Sequence, residues 1–241
     1  MKNLWIGLLS AACLVVAAPA GAETIAYWAQ NDNGLPGGGF GFETTDFPMA
    51  ADEGAGAWTL ADFDASETAG VYDYVQSFAG TSDNALAGYG SGGSFSFQGG
   101  AGDGNGGFAN NGASIVFEID TTLYSDILVS WAQRGTGTGF SSREFAYSLD
   151  GLTYVSIDTD TGGLTSSWDT VNYDLSAIDA IEGLPSVYFS VTYDGATSDT
   201  GNNRIDNVLF EGTLVPEPSS VVLTLLAGAF ASMVGVRSKL G

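Results

Sequence analysis

Val187, Phe189, Val191 and Tyr193 alternate without a break with Tyr188, Ser190 and Thr192. Side chains two apart share a face only in an extended strand, so this stretch predicts a strand with one apolar side. The same period recurs upstream in Ile115/Phe117/Ile119, Ile127/Val129/Trp131 and Phe145/Tyr147/Leu149. Further strands are expected at 24–29, 57–62, 94–98 (Ser-Phe-Ser-Phe-Gln), 152–157, 168–175 and 204–210. Asp150-Gly151 tolerates the positive φ of a two-residue type I′ turn and predicts a hairpin between the strand ending near Leu149 and the one starting at Leu152. Residues 176–182 read as one helical turn capped by Ser176. Short strands, turns and no helical periodicity make the fold class all-β, an antiparallel β-sandwich with Gly-rich loops.

Glycine supplies 11 of the 25 residues between 88 and 112. The run 99–107 has the glycine–aspartate flavour of calcium-binding nonapeptide repeats, but it occurs once and Asp103 sits one place early. A β-solenoid needs several stacked copies, so the run reads as a surface loop. Pattern alone does not set the order of residues 80–112.

Charge narrows the functions. The chain has a formal net charge of −22 and no histidine. All 28 acidic residues lie between Glu23 and Glu217, where only Arg134, Arg143 and Arg204 oppose them, a net −25. Such a surface repels phosphate backbones, which excludes nucleic acid as a partner. The single cysteine, Cys13, lies in the N-terminal apolar segment, so the body lacks thiol and imidazole nucleophile systems and histidine zinc sites. Two carboxylates suffice for glycoside hydrolysis, but no pair stands out among so many. The expectation is a protein that is not an enzyme.

The two ends carry targeting signals. Lys2, an apolar run over 4–18 and the Ala20-Gly21-Ala22 triplet form a signal peptide over 1–22, with cleavage after Ala22. Cys13 as a lipidated residue fits less well, because Ser10 stands where a large aliphatic is preferred. At the other end Pro216-Glu217-Pro218 interrupts any helix or sheet. Residues 219–236 are free of charge, and at about 1.5 Å per residue they reach roughly 27 Å as a helix, enough for a thin bilayer core. Arg237 and Lys239 in the tail 237–241 would stay on the cytoplasmic side. The organisation expected is therefore a leader (1–22), a β-sandwich domain (23–212), a linker (213–218), a transmembrane helix (219–236) and a basic tail.

Pro216, Glu217 and Pro218 followed by a membrane helix and the basic Arg237 and Lys239 closely resemble the PEP-CTERM sorting signal of Gram-negative bacteria. The resemblance covers about 25 residues. It implies recognition by an exosortase, inner-membrane anchoring before processing, and then a place on the cell surface or in the extracellular matrix, in settings rich in exopolysaccharide and biofilm. The basic end departs from the family, with two charges where an arginine cluster is usual.

The body offers a second resemblance. Ser148-Leu149-Asp150-Gly151, Trp168, Asp174-Leu175-Ser176 and Gly201-Asn202-Asn203-Arg204-Ile205-Asp206-Asn207-Val208 resemble jelly-roll domains of the galactose-binding-like, carbohydrate-binding-module type. The resemblance is good over residues 113–212 and poor before them. It implies carbohydrate binding, and a structural calcium between the first strand's loop and the last strand, placed on Asp32 and Asp206. Asp158 and Asp160 with Gly162-Gly163, or Asp194 and Asp199, are alternative ligand sets. Sugar sites combine aromatic faces with hydrogen-bonding side chains. Trp168, Tyr188, Tyr154 and Trp131 are the candidate platforms, with Arg134, Arg143, Asn202 and Asn203 as polar partners; the position of Trp131 among Ile127 and Val129 points instead to the core. Arg204 and Asp206 share a strand face, where an arginine–carboxylate pair would hold the closing strand. The competing reading is a structural matrix protein without a specific small ligand, and behind it a glycoside hydrolase.

Overall fold

A computed structural model describes residues 21–31, 41–66 and 70–215. Ala20, Asp32, Pro216, Glu217, Pro218, Arg237 and Lys239 lie outside the described residues, as does the expected membrane segment. Among the described residues no helix is long and apolar enough to cross a membrane.

The strands run in the order β1 (Ala22–Trp28), β2 (Met49–Ala50), β3 (Glu53–Gly54), β4 (Gly56–Ala61), β5 (Ala65–Ser66), β6 (Val71–Tyr72), β7 (Val75–Ala79) and β8 (Gly93–Gln98). They continue as β9 (Ser114–Ile119), β10 (Tyr124–Gly135), β11 (Ser142–Ser148), β12 (Val155–Asp160), β13 (Asp169–Asp174), β14 (Val187–Asp194) and β15 (Asn202–Leu214). One sheet of seven strands follows the path β13-β10-β15-β1-β3, with β8 also paired to β15 and β7 to β8. A second sheet of six follows β12-β11-β14-β9-β4-β2, and β5 and β6 form a small hairpin. The pairings are antiparallel. Helix is confined among the described residues to two short 3-10 turns, Thr44–Asp46 and Asp179–Ile181. The body is thus an all-β sandwich of two antiparallel sheets.

The alternating residues fill the space between the sheets. Val187, Phe189, Val191 and Tyr193 are buried against Ile115, Phe117 and Ile119 from β9 and Trp131 and Phe210 from the other sheet. Aromatic rings dominate: Trp58 stands edge-on to Phe117 at 4.9 Å, and Trp28 meets Trp58 and Phe210 each at 6.2 Å. Large rings cover much area with few torsions to freeze, which suits a glycine-rich chain. Phe95 and Phe97 join this core, so the Ser-Phe-Ser-Phe segment is an interior strand between β7 and β15.

Two local expectations change. The hairpin after β11 closes at Tyr147↔Val155, leaving a longer loop in which Gly151 (φ 71) has positive φ and Asp150 does not. Asp150 Oδ1 accepts the amides of Leu152 and Thr153, while Ser148 Oγ accepts that of Gly151. These side-chain bonds organise a wider turn in place of the two-residue one. The helical turn spans Asp179–Ile181 with Ile178 at its N-cap, not Ser176, whose amide donates to Asp174 Oδ1.

β15 is the central strand, thirteen residues long. It lies along β10 on one side, and β8 and then β1 pair with it on the other. Its register with β10 jumps between Ala132↔Asp206 and Ser130↔Leu209, a bulge at Asn207 with φ 50. The bulge puts Asp206 and Asn207 on the outer face. There the loop 80–92 lies down on the sheet, its Leu86 and Tyr89 packed on Tyr27, Ala29 and Leu209.

Candidate functional site

The outer face of the six-stranded sheet carries a trough of about 580 Å³. Register explains it. One cross-strand row reads Thr59, Val116, Ser190 and Ala146, all small or short. The row on one side brings Glu118 beside Tyr188, and the row on the other brings Ser114, Thr192 and Glu144 together. A low row between two taller ones is a groove running across the strands. Tyr154, delivered by the loop after β11, completes the wall at the Tyr188 end, and Asp62 lines it from the end of β4. Tyr188 Oη donates to Glu118 Oε1 at 3.3 Å, and Ser186 Oγ donates to the same oxygen. Ser114 and Thr192 share a hydroxyl–hydroxyl bond of 2.7 Å. Burial, with Tyr188 and Asp150 nearby, holds the Tyr154 phenol above its ordinary pKa. The trough therefore offers two phenol rings, hydroxyls and acceptor carboxylates around a floor of small side chains. By strand spacing the Cα atoms of Glu118 and Glu144 stand roughly 16 Å apart.

Apart from Arg143 on β11, the remaining sugar-site candidates fall on the opposite sheet. Trp168 and Arg134 do meet: the guanidinium lies 5.7 Å from the indole centroid. Both are half-buried. Asn202 is close by, with its carbonyl accepting the Thr136 amide. Asn203 is buried, and its amide group is used at both ends by Phe140, accepting its N–H and donating to its carbonyl. That engagement makes Asn203 a brace for the 136–140 loop. Trp131 is a fully buried core residue. Arg143 is ion-paired to Asp160 at 2.6 Å. Arg204 has no carboxylate partner among the described residues; it lies 4.6 Å from the Phe78 ring and donates to the Ala79 carbonyl.

Asp206 is fully buried on the outer face of β15. Its carboxylate accepts the amides of Thr81 and Asn207, yet burial pushes its pKa up to about 8. Ser91 O and Gly93 O converge with Asp206 Oδ2 on the Cα of Gly80, where a Cβ would strike all three oxygens. Asn31 folds over Gly92 with a buried Oδ1 that has no hydrogen-bond partner. A carboxylate, two carbonyls and an amide oxygen are donors of the kind a hard cation takes, the chemistry that a calcium reading requires. Asp32, the other expected ligand, lies outside the described residues. No cluster of three or more acidic side chains gathers among the described residues. Of the alternative sets, Asp160 serves Arg143 and Asp158 accepts from Tyr173 Oη, while Asp194 and Asp199 cap their own turns.

Glu118, Glu144 and Thr192 were not singled out from the sequence. Their outward direction follows from the strand period, but their meeting depends on the β11-β14-β9 adjacency, which no local pattern encodes.

The sequence matches no protein-family model and no curated protein. Among solved structures, the K2 cleaved adhesin domain of Lys-gingipain aligns at TM-score 0.41 and 15% identity over 71% of this chain and 98% of that one. The K3 cleaved adhesin domain of Lys-gingipain from Porphyromonas gingivalis aligns at 0.40 and 13% over 79% and 99%. The xylan-binding module CBM15 aligns at 0.41 and 13% over 66% and 92%. At these values no residue role passes from those proteins to this chain.

Proposed function

We propose that this is an exported, non-catalytic protein whose β-sandwich binds a polysaccharide in the trough of the six-stranded sheet. The observation that carries the reading is the pairing of Tyr154 and Tyr188 at one end of a groove about 580 Å³ in volume, beside the Glu118 carboxylate. Phenol rings present apolar faces to sugar C–H groups, and the carboxylates and hydroxyls accept or donate to sugar hydroxyls. The groove crosses β4, β9, β14 and β11, which suits a chain segment more than a single small molecule.

The sequence signals at both ends support the setting. The leader with Ala20 and Ala22 directs export. The Pro216-Glu217-Pro218 triplet with Arg237 and Lys239 supports sorting by an exosortase to the cell surface or matrix of a Gram-negative, exopolysaccharide-producing bacterium. Asn31, Asp206 and the carbonyls of Ser91 and Gly93 would hold one structural calcium, whose charge would offset the buried Asp206 carboxylate and fasten the loop 80–92 to β15.

The test is affinity electrophoresis of the full chain, in a detergent without a sugar headgroup, through gels containing neutral bacterial and plant polysaccharides. At least one polymer should retard the wild type, and Tyr188→Ala should run free in it. Equal retardation of both proteins would remove the trough from the function. No retardation by any polymer would leave the matrix role without a specific ligand.

A further inference from the structure

The outer face of the seven-stranded sheet holds an arrangement that the trough does not use. Arg134 on β10 and Arg204 on β15 are direct register partners. Partners in an antiparallel pair project from the same face with Cβ atoms about 5 Å apart, and like charges so placed repel. These are two of only three arginines among 28 acidic residues in the body. With acids in such excess, a pair of arginines would find a carboxylate at almost any surface position. Neither does so among the described residues.

The surroundings point outward to a ligand. Arg134 lies over the Trp168 ring, and Arg204 over the Phe78 ring. Arg204 is also the register partner of Ser96 on β8, and both Arg204 Nε and Ser96 Oγ are buried without hydrogen-bond partners. Across the sheet the part of the row that reaches solvent therefore reads aromatic ring, guanidinium, guanidinium, with the Ser96 hydroxyl buried beside it. Planar guanidinium groups pair best with planar two-oxygen anions, and an indole beside them supplies a platform for a sugar ring.

We propose that Arg134 and Arg204, with Trp168 as platform, form a second glycan site that takes an acidic sugar through its uronate carboxylate. The site is separate from the trough and stands or falls without it. Together the two would let one domain hold two chains, or two stretches of one chain, on opposite faces.

Isothermal titration of the full chain with polygalacturonate, in calcium-free buffer and a detergent without a sugar headgroup, tests this. Fully methyl-esterified polygalacturonate and dextran sulfate serve as comparison ligands. Binding of polygalacturonate is expected to fall at least tenfold on methyl esterification and at least tenfold in Arg134→Gln and in Trp168→Ala. Tyr188→Ala should bind as the wild type does. Arg204 is partly buried, so Arg204→Gln is read only with its unfolding midpoint, and Arg134→Gln carries the decision. Equal affinity for the esterified polymer, undiminished binding by Arg134→Gln, or no binding by the wild type would overturn the site. Preference for dextran sulfate over polygalacturonate would overturn the carboxylate assignment.

Discussion

Asp206 Oδ2 accepts the amide of Thr81 at 2.7 Å, although 125 positions separate the two residues. That bond, with the neighbouring ones from Asn207, turns the glycine-rich stretch after β7 into a lid fixed on the seven-stranded sheet. It also places a carboxylate where solvation is poor.

Stability should therefore depend on pH through Asp206. Its folded pKa, about 8, lies above the ordinary carboxyl value. Between roughly pH 4 and 8 the native protein keeps a proton that the unfolded chain releases, so stability falls as pH rises through that window and levels off above it. The loss is on the order of 2–5 kcal/mol. In chelator, the unfolding midpoint should drop from pH 5 to pH 8; calcium should restore it at pH 8 and do little at pH 5. Asp206→Asn keeps an acceptor for Thr81 and removes the charge. It should flatten the pH profile and abolish the calcium response; a calcium shift retained in the variant would place the cation elsewhere.

Asn207 holds the same lid by three side-chain bonds. Its Oδ1 accepts Tyr27 Oη at 2.6 Å, and its Nδ2 donates to the carbonyls of Thr81 and Asp83. Asn207→Ala removes these and leaves an alanine at φ 50, which together should cost about 3 kcal/mol in urea unfolding. Asn207→Gly relieves the backbone but not the bonds, so it should recover only part. Proteolytic nicking within 80–92 should speed up in both.

The trough can be closed without disturbing the core. Ser190 lies in its low middle row and faces away from the sandwich interior. Ser190→Phe should fill the floor, abolish retardation by the neutral polysaccharide, and leave the unfolding midpoint within a few degrees. Binding that survives the substitution would argue that the ligand lies elsewhere.

Asp150 organises the loop that presents Tyr154. Its hydrogen bonds to the Leu152 and Thr153 amides and to Ser148 hold its pKa near 2. A depressed carboxyl favours the folded loop above the ordinary carboxyl pKa and loses that contribution as pH falls through about 2. Asp150→Ala should speed hydrogen exchange at Leu152 and Thr153 at neutral pH and weaken glycan binding, with global stability little changed. Unchanged exchange at both amides would show that the backbone alone sets the loop.

The sandwich could be read in the sequence because period-2 alternation reports directly which side chains face inward. Val187 to Tyr193, Ile115 to Ile119 and Ile127 to Trp131 lie where their pattern put them. The Asp150-Gly151 dipeptide does not identify its turn, because it serves both a type I′ turn and a wider loop, and the Ser148 and Asp150 side chains decide between them. The lid over 80–92 was illegible for a different reason. Its fixing points, Tyr27, Asp206 and Asn207, are distant in sequence, and glycine carries no pattern of its own. Tyr188 was identifiable as an outward ring, whereas Glu118 and Glu144 became site residues only once β9, β14 and β11 were known to be neighbours.

β15, the last strand among the described residues, lies in the middle of its sheet. It is hydrogen-bonded on both flanks, to β10 on one and to β8 and β1 on the other. A tension applied beyond Leu214, resisted by a glycan held in the trough, runs along this strand and loads both ladders in shear. Ladder bonds sheared together rupture at higher force than bonds unzipped one after another. In single-molecule stretching the domain should resist a pull from that end more strongly than one that peels β13 from the sheet edge, as a part built to bear tension would.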